Sequence, residues 1–251
     1  MQNQNHSSVG RRLKQSEKNQ NQALSKELFY KHLKHLFSDS DAFTNDFVET
    51  QANDNVFMNN KNVEFLDRQI SFEEVDIAIS SLKNGKSGSL IPELFKVCHN
   101  QLAPMLCKLF NYIFDNNIYP EIWRKGIIVP VPKKRNLNDV NNYRGITLTS
   151  IFSKIFSMLI DTKLRKWAND NNVLHDNQFG FVKDKSTVDC IFVLTSIIAK
   201  ILKHEKRKLY YSFVDLKKCF DYVYRNGIWF KLIEQGVSSK VLKHCRACIV
   251  R

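Results

Sequence analysis

The 251-residue chain is strongly basic: 38 lysines and arginines face 25 aspartates and glutamates, which leaves a net charge of +13 at pH 7. Such a surplus favours a polyanionic partner such as nucleic acid, although a basic protein with no such partner is the alternative. The apolar runs are too short for a membrane span, and the polar N-terminus excludes a secretory signal, so we expect an intracellular protein without a membrane partner.

The content of apolar residues, 43%, is sufficient for a folded core. The six cysteines are scattered along a lysine-rich chain and are expected to be buried thiols. Cys245 and Cys248 form the one Cys-x-x-Cys pair, but no second pair or histidine follows at zinc spacing. We therefore predict no metal site at this pair.

The first third of the chain alternates polar stretches with helical patterns. Residues 1–22 are rich in Asn, Gln and Ser, which predicts a disordered tail. The apolar spacing predicts a helix over 23–37, and the Asn- and Asp-rich residues 38–62 indicate a linker. Ser71 and Glu74 form the Ser-x-x-Glu pattern of a capping box that begins the next helix.

The Gly-Lys-Ser sequence that follows this helix invites a comparison with phosphate-binding loops. That motif requires a glycine at position 80, where the chain has Ser80, and a preceding strand, where the pattern is helical. We therefore interpret residues 84–89 as a helix end and a turn. A single long helix is predicted over 92–116, with Pro92 in its first turn.

The second half combines strands with helices, and the whole chain is predicted to be a helix-rich α/β protein. Two short strands are expected around a polar turn in 126–148, because β-branched residues and prolines alternate there. Helices are predicted over 150–171 and from Ser186 to about residue 201. A buried strand is expected over 209–215, then a short helix, and two further helices are expected over 228–251.

The strand-turn-strand segment has a high local density of positive charge. Between Glu121 and Ser150, six lysines and arginines against two acids leave a local charge of +4. Lys133, Lys134 and Arg144 could contact a triphosphate or a nucleic-acid backbone, whereas a solvated charged turn is the alternative.

The sequence QFGF at 178–181 places a glycine between two aromatic residues. Gly180 suggests a bend or a close backbone approach, and the ring of Phe179 or Phe181 could stack on a base. Core packing of at least one ring is the alternative. Ser186, with Asp189 three residues later, is expected to cap the next helix.

The sequence FVDLKKCFD at 213–221 ends an apolar run with a carboxylate. Asp215 could cap the following helix, or it could bind a divalent metal, since a hard ion such as Mg²⁺ prefers rigidly held carboxylate oxygens. Phe220, five residues later, could place its ring beside a bound sugar.

Five of these segments, in this order, resemble the reverse transcriptases of non-LTR retrotransposons over about residues 60–251: LKNGKSG with IPELFK, WRKGIIVPVPKK, NYRGITLTSIFSKIF, QFGFVKDKSTVD and LYYSFVDLKKCFDYV. The resemblance implies a right-hand polymerase fold and RNA-templated DNA synthesis from deoxynucleoside triphosphates with Mg²⁺. Its partners would be an RNA template and a DNA primer, and access to the nucleus is expected. Residues 63–208 would form the fingers and 209–251 the start of an incomplete palm.

The same resemblance implies roles for individual residues. Asp215 would be the first metal-binding aspartate, and Leu216 would offer its carbonyl to the same ion. Phe220 would be the ring that rejects a 2′-hydroxyl. The triphosphate would be bound by Arg144 and by Lys133 or Lys134. A segment close to the template and nucleotide would comprise three more residues: Gln178, Gly180 and Phe181.

One part of this family pattern is missing, because the sequence contains no Asp-Asp dipeptide that could provide the second carboxylate pair. We expect the chain to be an incomplete polymerase, inactive by itself. The alternative is a basic nucleic-acid-binding remnant without chemistry; a helical scaffold protein explains neither the charge nor the ordered motifs.

Overall fold

A computed structural model describes residues 24–37, 63–85, 92–133, 137–216, 219 and 223–248. The expected tail at 1–22, the whole linker at 38–62 and most of the short helix after Asp215 lie outside these residues. The described residues form a helix-rich structure with one small antiparallel sheet, as an α/β chain should. None of the described helices is both long and apolar enough to cross a bilayer.

Among the described residues, five α-helices and a 3₁₀ helix (Glu121–Arg124) precede the sheet. The α-helices are α1 (Lys26–Phe37), α2 (Glu64–Asp67), which was not predicted, α3 (Phe72–Ser80), α4 (Pro92–Val97) and α5 (His99–Asn116). The capping box of α3 is confirmed, since the Ser71 hydroxyl accepts from the Glu74 amide and the Glu74 carboxylate accepts from the Ser71 amide. The single helix expected over 92–116 is wrong in one respect, because the chain breaks it at Cys98 into α4 and α5.

The sheet is the predicted strand-turn-strand segment. Strands β1 (Ile127–Pro132) and β2 (Tyr143–Leu148) pair antiparallel, with Val131 opposite Arg144. Pro130 and Pro132 are tolerated because a two-stranded hairpin leaves one edge of each strand without a partner. Among the described residues, four α-helices follow the sheet: α6 (Ile151–Asp170), α7 (Thr187–Ala199), which a π-helical turn (Lys200–His204) continues, α8 (Arg225–Glu234) and α9 (Ser239–Cys248).

The core lies between the helices before and after the sheet. Phe110 and Phe156 are fully buried with their ring centroids 5.6 Å apart, and the Trp123 ring stacks on Phe152 at 5.9 Å. Helix α9 packs against α6 and contributes Val241 to this core. The C-terminal helix is thus packed against residues that precede it by about 80 positions.

Two ionisable side chains are buried in this helical body. The Lys163 ammonium donates hydrogen bonds to the carbonyls of Leu66 and Arg68 at the end of α2, and burial lowers its pKa to about 8. The His244 ring stacks on Phe114 at 5.1 Å, and burial lowers the pKa of His244 as well. Both groups have polar partners, which buried polar atoms require.

The segment 187–216 departs most from the sequence predictions. The strand expected over 209–215 is wrong: these residues are irregular, and Phe213 and Val214 are 79% and 84% exposed. Within the described chain no strand pairs with them, so their backbone has no ladder to join. The apolar pattern of α7 correctly predicted a helix, but none of its residues is buried.

The prediction that all six cysteines are buried is wrong for two of them. Cys190, on α7, and Cys219 are exposed thiols rather than buried ones. Cys245 and Cys248 on α9 are partly buried, and burial raises the pKa of both, to about 12 for Cys245. No group of three metal-ligating side chains occurs among the described residues.

Candidate functional site

The first element of the candidate site is the basic hairpin, residues 127–148. A hydrogen bond of 2.7 Å from the Lys133 amide to the Asn142 carbonyl prolongs the ladder beyond Pro132. Arg144 lies opposite Val131, and Lys133 follows Val131 by two residues. Opposite residues share a face of the sheet and side chains alternate along a strand, so Lys133 and Arg144 lie on the same face as a diagonal pair. Such pairs are about 7–8 Å apart, a span that a triphosphate or a nucleic-acid backbone can bridge.

Both basic side chains of this face are exposed, but they differ in their contacts. The Lys133 ammonium donates to the Asn141 carbonyl at 3.2 Å and is therefore tied to the turn. Arg144 lies in the middle of β2 and forms no ion pair within the described chain. Its guanidinium is therefore available to an anion. Lys134, the other lysine expected here, lies outside the described residues.

Aromatic and polar contacts fix the turn end of the hairpin. The Phe29 ring of α1 meets the Tyr143 ring edge-to-face at 4.8 Å, and the Tyr143 hydroxyl donates to the Leu137 carbonyl at 3.1 Å. The Asp139 carboxylate accepts from the Asn141 amide at 2.9 Å and begins a short 3₁₀ turn. These contacts hold the turn on which the Lys133 side chain rests.

A small basic cavity precedes the hairpin and was not singled out from the sequence. Its volume is about 320 Å³, and it is lined by Tyr119, Glu121, Arg124 and Lys125. The Arg124 Nε atom is buried and has no hydrogen-bond partner among the described residues. The only sequence signal was the surplus of positive charge in this region, which does not distinguish a cavity from an open surface.

The second element is the loop between α6 and α7. The Gln178 side-chain amide donates to the Gly180 carbonyl at 2.9 Å, and the Phe181 ring is 76% exposed. Gly180 lies in a turn, as the predicted bend requires, but no clash within the described chain demands a glycine, because an added Cβ would approach no described atom closer than 4.0 Å. Phe181 instead adopts the left-handed conformation, with φ at 62°.

The helix after this loop begins as predicted. The Ser186 hydroxyl accepts from the Asp189 amide, and the Asp189 carboxylate accepts from the Ser186 amide. The Ser186 hydroxyl also donates to this carboxylate at 2.8 Å, and this bond, together with the one from the Ser186 amide, lowers the pKa of the Asp189 carboxyl. Phe179 is half-buried, and the Lys185 ammonium lies 5.1 Å from the centre of its ring. Of the two phenylalanines, only Phe181 presents most of its ring to solvent.

The third element contains Asp215 and Leu216, which lie on the exposed irregular segment 206–216. Neither a hydrogen bond nor an ion pair joins Asp215 to Arg144 or Lys133 within the part of the chain that is described. Phe220 lies outside the described residues. The structure thus brings Lys133 together with Arg144, and Gln178 with Gly180 and Phe181, without a contact that links Asp215 to either pair.

The described residues do not form a complete site for a catalytic metal pair. Asp215 offers one carboxylate, and no cluster of three potential ligands is found among the described residues. Two ions that share an octahedral oxygen environment would require further carboxylates.

Comparison with known proteins identifies the relatives of this chain. The sequence profile of the family "Reverse transcriptase (RNA-dependent DNA polymerase)" matches residues 131–250, from the hairpin to the end of α9. The chain is 29% identical to the "Probable RNA-directed DNA polymerase from transposon BS" of Drosophila melanogaster over 173 residues, 66% of the chain and 18% of that protein.

Two further relatives are transposon proteins. The "Probable RNA-directed DNA polymerase from transposon X-element" of Drosophila melanogaster is 27% identical over 55% of the chain and 15% of its own length. The "Transposon TX1 uncharacterized 149 kDa protein" of Xenopus laevis is 24% identical over 64% of the chain and 12% of its own length. The chain thus spans less than a fifth of each of these relatives.

Proposed function

We propose that the chain contains a reverse transcriptase domain related to those of non-LTR transposons, and that it supplies the fingers and the start of the palm of an RNA-directed DNA polymerase. The fingers would comprise residues 63–208, and the palm would begin at residue 209. RNA template, DNA primer and deoxynucleoside triphosphates would be its partners, and Mg²⁺ its metal.

The observation that supports the proposal best is the face shared by Lys133 and Arg144. An ammonium and a guanidinium on adjacent strands would bind the phosphates of the incoming nucleotide, the guanidinium through two parallel hydrogen bonds. Lys134 would be an alternative partner on the same hairpin. Phe181 and its neighbours Gln178 and Gly180 would lie beside the template.

Asp215 would be the first carboxylate of the metal site, with the Leu216 carbonyl on the same ion and the Phe220 ring next to the sugar. A bound Mg²⁺ would activate a primer hydroxyl and neutralise phosphate charge. Since the sequence contains no Asp-Asp dipeptide, we propose that this chain does not extend a primer unaided.

The first experiment measures binding of a fluorescent deoxynucleoside triphosphate by anisotropy. Arg144→Ala should weaken binding at least tenfold, because a bidentate phosphate contact has no substitute nearby. Lys231→Ala is the matched control: Lys231 is an exposed basic side chain on α8, where it pairs with Glu234 at 2.7 Å. Equal affinities of the Arg144 variant and the wild type would refute the assignment of the hairpin.

The second experiment tests catalysis directly. Purified chain is incubated with poly-rA, oligo-dT, thymidine triphosphate and Mg²⁺, and we expect no extension. Primer extension that is lost in Asp215→Asn would show that the chain is a complete polymerase, contrary to the proposal. Extension that persists in this variant would show a contaminating enzyme.

A further inference from the structure

The loop between α6 and α7 contains a strained aromatic residue. Phe181 has a φ of 62° while its ring is 76% exposed. A bulky side chain in the left-handed region costs about 1–2 kcal/mol, and burial of this ring cannot compensate for that cost. Another contact must therefore favour this backbone conformation.

That contact comes from Arg165 on α6. Its Nη1 atom donates to the Phe181 carbonyl at 2.5 Å, and its Nε atom donates to the Asp161 carboxylate at 2.6 Å, one turn earlier on the helix. The same carboxylate raises the pKa of Arg165, so the guanidinium stays charged. Because the guanidinium is planar, fixing its Nε edge on Asp161 also fixes the direction of the Nη1 bond.

The surroundings of the ring suit a single-stranded nucleic acid. Lys183 is exposed two residues after Phe181, and Lys185 is held near the loop by a 2.5 Å hydrogen bond to the Asp176 carbonyl. Exposed aromatic rings flanked by cations bind bases by stacking and phosphates by charge. The loop thus combines a projecting ring with the ammonium groups of Lys183 and Lys185, between which the exposed Asp184 lies.

We propose that Arg165, oriented by Asp161, is a positioning residue that holds Phe181 in the left-handed conformation and so presents its ring to a base of single-stranded RNA. The inference rests on the proposed function for the RNA, but the contact itself is independent of it. Arg165 acts through the Phe181 carbonyl rather than on the nucleic acid.

The first test uses the chain without RNA. Hydrogen exchange measured by mass spectrometry in peptides that cover 176–185 should be at least threefold faster in Arg165→Gln. Arg165→Lys should behave in the same way, because an ammonium keeps the charge but lacks the planar geometry. Lys166→Gln is the control: Lys166 forms an i,i+4 ion pair with Asp170 on the same helix. Unchanged exchange in Arg165→Gln would overturn the positioning role.

The second test uses a fluorescent twelve-nucleotide RNA. Phe181→Ala should weaken binding about tenfold without changing the dependence of affinity on salt, because stacking releases no counterions. Arg165→Gln should give a similar loss, and the double variant should lose no more than either single one, since both changes remove the same stacking contact.

Two outcomes would contradict the inference in different ways. In the first, the losses of RNA affinity multiply in the double variant, and the slope of affinity against salt concentration falls by about one in Arg165→Gln. This result would show that Arg165 contacts a phosphate itself. Wild-type chain that binds no RNA at all would remove the proposed function and the role of the ring, whatever the exchange experiment shows. Normal RNA binding with unaltered exchange would overturn the positioning role alone.

Discussion

The helical body and the segment 187–216 both contain apolar sequences, but only those of the body are buried. In the body, Phe110 and Phe114 of α5 and Phe156 of α6 are fully buried. In the segment, Phe192 and Phe213 are 70% and 79% exposed, and no residue of α7 is buried. An apolar pattern therefore predicts that a surface needs a partner, but whether a partner is present depends on the rest of the structure. A helix that is apolar on all sides is typical of a buried position.

The largest expected effect contrasts two phenylalanines. Phe110→Ala should lower the free energy of unfolding by about 3–5 kcal/mol, since it opens a cavity among buried rings. Phe213→Ala should change it by less than about 0.5 kcal/mol, as for other exposed positions. Urea unfolding followed by circular dichroism measures both, and similar losses in the two variants would show that 209–216 is packed in solution.

The next largest effect is a pH dependence of the free energy of unfolding, which arises from a lysine in the helical body. Lys163 has a pKa of about 8 when folded and 10.5 when unfolded, so the unfolded chain binds more protons between these values and the stability should rise with pH. At about 1.4 kcal/mol per pKa unit the gain approaches 3 kcal/mol across the window. Cys245 acts in the opposite sense above pH 9, because its raised pKa favours unfolding there.

The contribution of Lys163 is isolated by comparison with Lys163→Met. The free energy of unfolding is measured for both proteins at pH 8, 9 and 10. That of the wild type should rise steadily relative to that of the variant as the pH increases. The cysteine contribution cancels in this difference. A constant difference would mean that the Lys163 ammonium is solvated.

A smaller effect compares two identical motifs, because α3 and α7 both begin with a capping box. Ser71→Ala should lower global stability by about 1 kcal/mol, since α3 packs against α5 and α6. Ser186→Ala should leave the urea midpoint unchanged and accelerate only amide exchange within α7. If the two variants lost equal global stability, α7 would be part of the cooperative unit.

The smallest effect concerns the strained loop. Phe181→Asn should raise stability by about 0.5–1 kcal/mol, because asparagine tolerates the left-handed region and little ring burial is lost. Differential scanning calorimetry measures the change. Reduced stability would show that the ring contributes more through its contacts than the backbone loses through strain.

Much of the secondary structure could be predicted from local patterns. The capping residues Ser71, Ser150 and Ser186 begin helices where side-chain oxygens can accept the first free amides. The hairpin was recognisable because β-branched residues and prolines flank a polar turn. The strand expected before Asp215 was wrong, because a strand requires a partner that local sequence does not contain. The left-handed conformation of Phe181 had no local signal, because the Arg165 side chain that contacts its carbonyl lies 16 residues away.

The sequence alone determined the periodic helices, the capping boxes and the basic hairpin, since each depends on residues that are close together in the chain; it also carries the similarity of residues 131–250 to reverse transcriptases. Only the tertiary structure decided which apolar faces are covered, that Lys163 is buried beneath α2, and that Arg165 supports the Phe181 carbonyl. These features depend on contacts between distant segments, such as the 95 residues that separate Lys163 from Arg68. No local pattern specifies where such segments meet.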